Sequence, residues 1–128
     1  EYEKWFQIVY DAREDARQFI QARLDAGEKV RGYEVDRRLK ERFEQLGCAQ
    51  YLMHRTGHNI GHRCHGIGAN LDDYETHDDR CLLPGTMFSI EPGLYTDKYG
   101  VRLEYDVHIT SEGETKVYGP VQDEILVI

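Results

Sequence analysis

The stretch His54-Arg55-Thr56-Gly57-His58-Asn59-Ile60-Gly61-His62-Arg63-Cys64-His65 places four histidines within twelve residues. Neutral imidazole is the commonest side-chain ligand for transition metals. Gly57 and Gly61, on either side of His58, let the backbone bend tightly or approach another group closely. Taken alone the cluster is weak. A single histidine such as His62 or His77 is ordinarily structural or exposed. Paired cysteines at zinc-finger spacing are missing, and the helical HExxH arrangement is absent.

Two carboxylates strengthen the case. In Phe88-Ser89-Ile90-Glu91-Pro92, strand alternation puts Ser89 and Glu91 opposite Phe88 and Ile90. Pro92 ends the strand, so Glu91 is held rigidly at its end. In Gly100-Val101-Arg102-Leu103-Glu104-Tyr105-Asp106, Glu104 shares the polar face with Arg102 and Asp106. Glu91 and Glu104 on adjacent strands would repel, and one would tend to stay protonated. A divalent cation between them removes that conflict. The ordinary alternative for each is a solvent-facing strand glutamate, with Arg102 and Glu104 as a surface ion pair of little energetic weight. What favours a metal is the presence of His58, Glu91 and Glu104 together in one compact unit.

The elements that must position these groups are legible in the pattern. From Tyr2 to Ala26, Trp5, Ile8, Val9, Ala12, Ala16, Phe19, Ile20 and Leu24 recur at three- and four-residue steps, the signature of an amphipathic helix. Arg13, Glu14, Arg17 and Arg23 fill its other face, and Gly27 is its stop. A second helix is expected from about Val35 to Leu46, with Val35, Leu39, Phe43 and Leu46 as its stripe and Gly47 as its cap. After Gly47 glycine, histidine and β-formers dominate. Strands are expected at Phe88–Glu91 and Val101–Thr110, with a short closing strand at Ile125–Ile128. Pro92-Gly93 and Tyr99-Gly100 mark turns. The pattern predicts one α+β unit, helices covering an antiparallel sheet.

Composition sets outer bounds. The chain has 128 residues, 40% hydrophobic and 31% charged, with a net charge of −8. That is a globular composition with room for a modest core. The acidic balance argues against nucleic-acid binding, which concentrates Lys and Arg. Cys48, Cys64 and Cys81 lack CxxC spacing and do not read as a disulfide framework, which points to a reducing, cytoplasmic location. No apolar run is long enough to span a membrane. Opening at Glu1 inside a helical pattern, the chain reads as a piece of something longer.

Three ordered motifs carry a resemblance: His54-x-x-Gly57-His58-x-x-Gly61 with His65; Pro84-Gly85-x-x-Phe88-Ser89-Ile90-Glu91-Pro92-Gly93-Leu94-Tyr95; and Gly100-Val101-Arg102-x-Glu104. The chain resembles the pita-bread metallopeptidases (M24). The stretch from Asn70 to Asp79 is most similar to bacterial Xaa-Pro dipeptidases and aminopeptidases. The resemblance implies that residues 1–128 form half of a pita-bread fold, the C-terminal half of the catalytic domain, with two helices packed on a curved antiparallel sheet. It implies two divalent ions, with Mn2+ ahead of Co2+ or Zn2+, that activate water for attack on the bond before proline. By that resemblance His58, Glu91 and Glu104 are metal ligands, with Glu104 bridging, and Glu91 also acts as general base. His65 stabilises developing charge or positions substrate, His54 is a further active-site histidine, and Arg102 orients the bridging carboxylate. The family's other two ligands are aspartates upstream of this half, and Asp11 and Asp15, inside the first helix, do not replace them. A lone fragment would therefore be inactive, partnered by the missing N-terminal half, by proline-containing peptides, and by further copies of itself as a homo-oligomer. The alternatives are a non-catalytic pita-bread module that binds protein, and an unrelated histidine-rich metal-binding domain.

Overall fold

A computed structural model describes residues 1–128. Two helices open the chain, α1 at Tyr2–Asp25 and α2 at Gly32–Gln45. A single 3-10 turn follows at Ala49–Tyr51. Then come β1 at Asn59–Ile60, β2 at Met87–Ile90, β3 at Gly93–Tyr95, β4 at Gly100–Arg102, β5 at Tyr105–Ile109 and β6 at Thr115–Tyr118. All strand pairs are antiparallel. One sheet has the order β1-β2-β5-β6, and β3 and β4 form a separate two-stranded ribbon. This is the expected α+β class.

Both helices end as their glycines foretell. Gly27 and Gly47 take left-handed φ of 69° and 71°. The amides of Glu28 and Cys48 reach back to the carbonyls of Arg23 and Phe43, closing the last turns. α2 begins three residues before the expected Val35. Its first donors are satisfied from a distance: Gly32 N–H donates to Arg80 O and Tyr33 N–H to Asp78 O. The Arg31 amide donates to the Glu34 carboxylate at 2.7 Å. The Glu34 contact is local, but no local spacing reveals Arg80 and Asp78 as partners.

The core lies between the helices and the four-stranded sheet. Val9, Ala12, Ala16 and Ile20 of α1 and Val35, Leu39 and Phe43 of α2 are buried with Phe88, Ile90, Val107 and Ile109. Burying each of the larger side chains contributes roughly 1.5–3 kcal/mol.

Three expectations are corrected. Arg13, assigned to the charged face of α1, is wholly buried. Its guanidinium lies 4.5 Å from the ring centroid of Tyr105 and 5.0 Å from that of Tyr10. It donates to the Gln122 carbonyl at 3.0 Å. Two aromatic faces and a crossing tail bury a cation that helical spacing places outside.

The stretch Val101–Thr110, expected as one strand, is broken at Leu103-Glu104 into β4 and β5, which belong to different sheets. The partner strand breaks at the same level, between β2 and β3 at Glu91-Pro92. Both chains cross one crease together.

The closing strand at Ile125–Ile128 is absent, and the last strand is β6. A turn at Gly113, with φ 78°, returns the chain so that Thr115 faces Ile109 and Tyr118 faces Asp106. Gly119, with φ 84°, and Pro120 then lead the tail away from the sheet edge.

Candidate metal centre

Each site residue is placed by a backbone contact. His58 enters on a loop pressed against β2. Ser89 N–H donates to His58 O at 2.9 Å, and Glu91 N–H donates to Thr56 O at 2.7 Å. Gly57 makes this approach possible, because a Cβ there would sit 1.9 Å from Ser89 O. Gly61 is different, since a Cβ there would meet nothing closer than 3.7 Å. Of the two glycines flanking His58, only Gly57 is required for close approach.

The crease brings the carboxylates together. Ile90 pairs with Tyr105 in the β2–β5 register, so Glu91 and Glu104, one step further, face each other just outside the ladder. His58 Nε2 lies 3.2 Å from Glu91 Oε1. One ligand atom each from His58, Glu91 and Glu104 falls within 4.8 Å of the others. His58 and Glu91 are largely covered, with side-chain exposures of 9% and 16%, whereas Glu104 is 41% exposed. Burial, and then the neighbouring Glu91 charge, push the Glu104 carboxyl above the usual carboxylate range.

The donor set fits a divalent cation. His58 Nδ1 lies 3.1 Å from Asn59 O. An N–H directed at that carbonyl leaves the Nε2 lone pair facing Glu91 and Glu104, the tautomer a metal-binding imidazole adopts. A nitrogen and two carboxylates suit borderline and hard divalent ions.

Ser89, fully buried, ties the parts together. Its Oγ accepts from His58 N–H at 3.0 Å and donates to Glu91 Oε1 at 2.9 Å. One hydroxyl thus sets the histidine backbone and the carboxylate relative to each other. Sequence reasoning placed Ser89 on the Glu91 face but gave it no role.

Asp36 was also missed. From α2 it accepts from Thr56 N–H at 2.9 Å, Thr56 Oγ1 at 2.7 Å and Asp73 N–H at 2.6 Å. It therefore anchors the loop just before His58. Burial raises its carboxyl above the ordinary value even against these donors. A signal was available: Asp36 precedes Leu39 and Phe43 by three and seven residues, so it lies on the inner face of α2.

The remaining expected residues distribute unevenly. The His65 ring stands 4.3 Å from the His58 ring, so it lies beside the carboxylate cluster without being one of its converging ligands. His54 lies against β3, with Nε2 2.7 Å from Tyr95 Oη and Nδ1 2.7 Å from Arg55 O. It is not among the converging ligand atoms. Arg102 Nε is 4.0 Å from Glu104 Oε2, beyond hydrogen-bond distance. Asp15 is held by Arg38 at 2.8 and 3.0 Å, and Asp11 accepts from Gln7 at 2.7 Å. Neither belongs to the cluster.

The model of metallopeptidase family M24 matches residues 1–111. A probable dipeptidase PepE of Mycobacterium bovis is 36% identical over 90 residues, 69% of this chain and 23% of that protein. A Xaa-Pro dipeptidase of Lactobacillus helveticus is 31% identical over 110 residues, 82% of this chain and 27% of that protein. Among solved structures, a dipeptidase from Pyrococcus horikoshii OT3 superposes with a TM-score of 0.79 at 29% identity, over 98% of this chain and 32% of that one. An X-Pro aminopeptidase from Thermotoga maritima superposes with a TM-score of 0.76 at 26% identity, over 94% of this chain and 32% of that one. The chain thus spans about a quarter of the length of the curated relatives it matches. The fold is that of the pita-bread prolidases.

Proposed function

Because the chain belongs to metallopeptidase family M24, we propose that it is the C-terminal half of a catalytic domain that hydrolyses the bond before proline in small peptides, using two divalent metal ions. The observation that carries this reading is the meeting of His58 Nε2 with the Glu91 and Glu104 carboxylates within 4.8 Å. Manganese is the first choice of ion, with cobalt or zinc as alternatives. Bound there, the ions would supply Lewis acidity and an activated water.

This chain's own residues do the rest. His58, Glu91 and Glu104 would hold the ions, Glu104 being the bridging ligand by family resemblance. Its raised carboxyl and partial exposure suit a ligand that gains most from a nearby cation. Glu91 takes up and returns a proton at Oε2, while Oε1 is held by Ser89. His65, its ring tilted beside that of His58, faces the substrate and donates to the oxygen on which charge develops. His54, clamped by Tyr95 Oη, shapes the substrate side of the pocket. Arg102 biases Glu104 electrostatically across 4.0 Å. The three cysteines are free, which fits a reducing compartment, and we place the activity in the cytoplasm on that ground.

Residues 1–128 supply three ligands. The other two, aspartates by family resemblance, belong to the half that precedes them. The test is hydrolysis of Xaa-Pro dipeptides by the complete two-half protein with and without Glu104→Ala. Loss of turnover by at least about a thousandfold is expected for removal of a bridging ligand, and normal turnover in that variant removes Glu104 from the mechanism. Manganese titration of the 128-residue chain alone gives at most one weak site, and two tight sites contradict the division into halves.

A further inference from the structure

The loop that carries His65 also carries a thiol. Cys64 is exposed, and one ligand atom each from His58, Cys64 and His65 lies within 4.8 Å of the others. This second cluster shares only His58 with the carboxylate centre. It is not an accident of a loose surface loop, because the segment is closed at its base. Gly66 N–H donates to Asn59 O at 2.8 Å, and Gly61 N–H to Arg63 O at 3.0 Å. The Asn59 side chain accepts from Gly68 N–H at 3.1 Å and donates to Met87 O at 3.2 Å. The loop is thereby pinned to β1 and β2 with its tip folded over the His58 ring.

From this arrangement we propose that His58, Cys64 and His65 form a second metal site, selective for soft, zinc-class cations, that competes with the carboxylate centre for His58. The chemistry of the donors separates the two. Two imidazoles and a thiolate favour zinc, cadmium or copper(I), whereas one imidazole and two carboxylates favour manganese. Binding replaces the Cys64 S–H bond with a sulfur–metal bond and releases the proton to solvent. Water completes a four-coordinate shell, as in zinc sites with three protein ligands. Bond lengths of about 2.0–2.1 Å to nitrogen and 2.3 Å to sulfur place tetrahedral ligand atoms roughly 3.3–3.6 Å apart. The cluster need therefore tighten by at most about 1.5 Å, through the exposed side chains of Cys64 and His65. His58 cannot serve both centres, because Nδ1 is engaged with Asn59 O and Nε2 has one lone pair. Soft-ion occupancy thus withdraws a ligand from the carboxylate centre. Only this competitive consequence rests on the function proposed above.

Cobalt titration of the 128-residue chain tests the site directly, because a thiolate bound to cobalt gives an intense charge-transfer absorption in the near ultraviolet and carboxylates do not. The band is expected at one equivalent, bleached by one equivalent of zinc, present in Glu104→Gln, and lost in Cys64→Ser. Zinc affinity falls at least about a hundredfold in Cys64→Ser, more than loss of an outer-shell partner would cause. Absence of the band, or its persistence in Cys64→Ser, overturns the proposal. Manganese binding, followed separately by electron paramagnetic resonance, is expected to be lost in Glu104→Gln. Zinc should displace manganese from the unaltered chain but act at least about tenfold more weakly in Cys64→Ser. Equal zinc displacement in both overturns the competition. A cobalt band in a chain that binds no manganese supports the thiolate site while removing the carboxylate centre.

Discussion

The chain keeps two groups of carboxylates, one buried and one partly exposed, and supplies them with donors in opposite ways. Around the loop from Asn70 to Arg80, every inward aspartate is supplied with donors. Asp72 accepts from the Tyr74 and Glu75 amides at 2.9 Å each. Asp78 accepts from Asn70 N–H at 2.8 Å and from Arg80 Nε and Nη2 at 2.9 and 2.6 Å. Asp36 has three donors, as described. At the crease, by contrast, Glu91 has one hydroxyl donor, and Glu104 has a guanidinium 4.0 Å away and no hydrogen bond. The electrostatics follow. Where the donor is a basic side chain the carboxyl is lowered: the Arg80 hydrogen bonds hold Asp78 below the usual carboxylate range, and His77 does so for Asp73. Burial raises Asp36 in spite of its donors and raises Glu104, which has none. A carboxylate saturated by N–H groups is a structural part. Two left short of donors and facing each other are what the proposed metal centre requires.

The contrast can be broken by mutation. Asp36→Ala leaves the Thr56 and Asp73 amides without their acceptor and removes charge-assisted bonds. A loss of about 3 kcal/mol is expected, lowering Tm by on the order of 10 °C. A thermal melt within a degree or two of the unaltered chain would show that the loop before His58 does not depend on α2.

Ser89→Ala strands the His58 amide and frees Glu91 Oε1. We expect about 1–2 kcal/mol of destabilisation together with weaker manganese binding, read by urea denaturation and by titration. A loss confined to stability would deny Ser89 its positioning role.

Acid should separate the two groups further. Asp73 and Asp78 have depressed folded values, so their contribution is complete above the unfolded aspartate value of about 3.9. It is lost as pH falls through the folded values. The stability gap between the unaltered chain and Asp78→Asn should therefore close as pH falls below about 4, and a constant gap in urea midpoints across that range would contradict the assignment. Glu104 has the opposite sign. Its ionisation opposes folding above its raised value, and that opposition fades as pH falls. In metal-free solution Glu104→Gln should accordingly leave stability unchanged or raise it by less than about 1 kcal/mol, since the side chain is well exposed. A clear destabilisation would place Glu104 with the structural aspartates.

Much of this was legible in the sequence, for a physical reason. Helix periodicity reports burial directly, so Val9, Ala12, Ala16 and Ile20 were visible as a core stripe. Strand alternation likewise fixed which way Ser89, Glu91 and Glu104 point. What stayed hidden depends on partners far along the chain. Arg13 is buried by Tyr105 and Gln122, some ninety and more residues on. Asp36 is explained only by amides at 56 and 73. The break at Leu103-Glu104 leaves the alternation of Val101, Leu103, Tyr105 and Val107 intact, so periodicity cannot see it. Thr115–Tyr118 was overlooked because it is an edge strand in which only Thr115 is buried, so it carries little apolar pattern, while the apolar Ile125–Ile128 drew the expectation without a neighbour to pair with.

The crease has a mechanical consequence. Glu91 and Glu104 lie on the two strands that pass from the four-stranded sheet into the β3–β4 ribbon, so their separation measures the angle between those layers. An ion gripping both, as proposed, would act as a rivet across a fold line. It would stiffen the ribbon against bending and couple motion of the Tyr95–Gly100 turn to the state of the centre. Amide exchange in β3 and β4 should slow on manganese binding while β6, on the far edge of the sheet, keeps its pace.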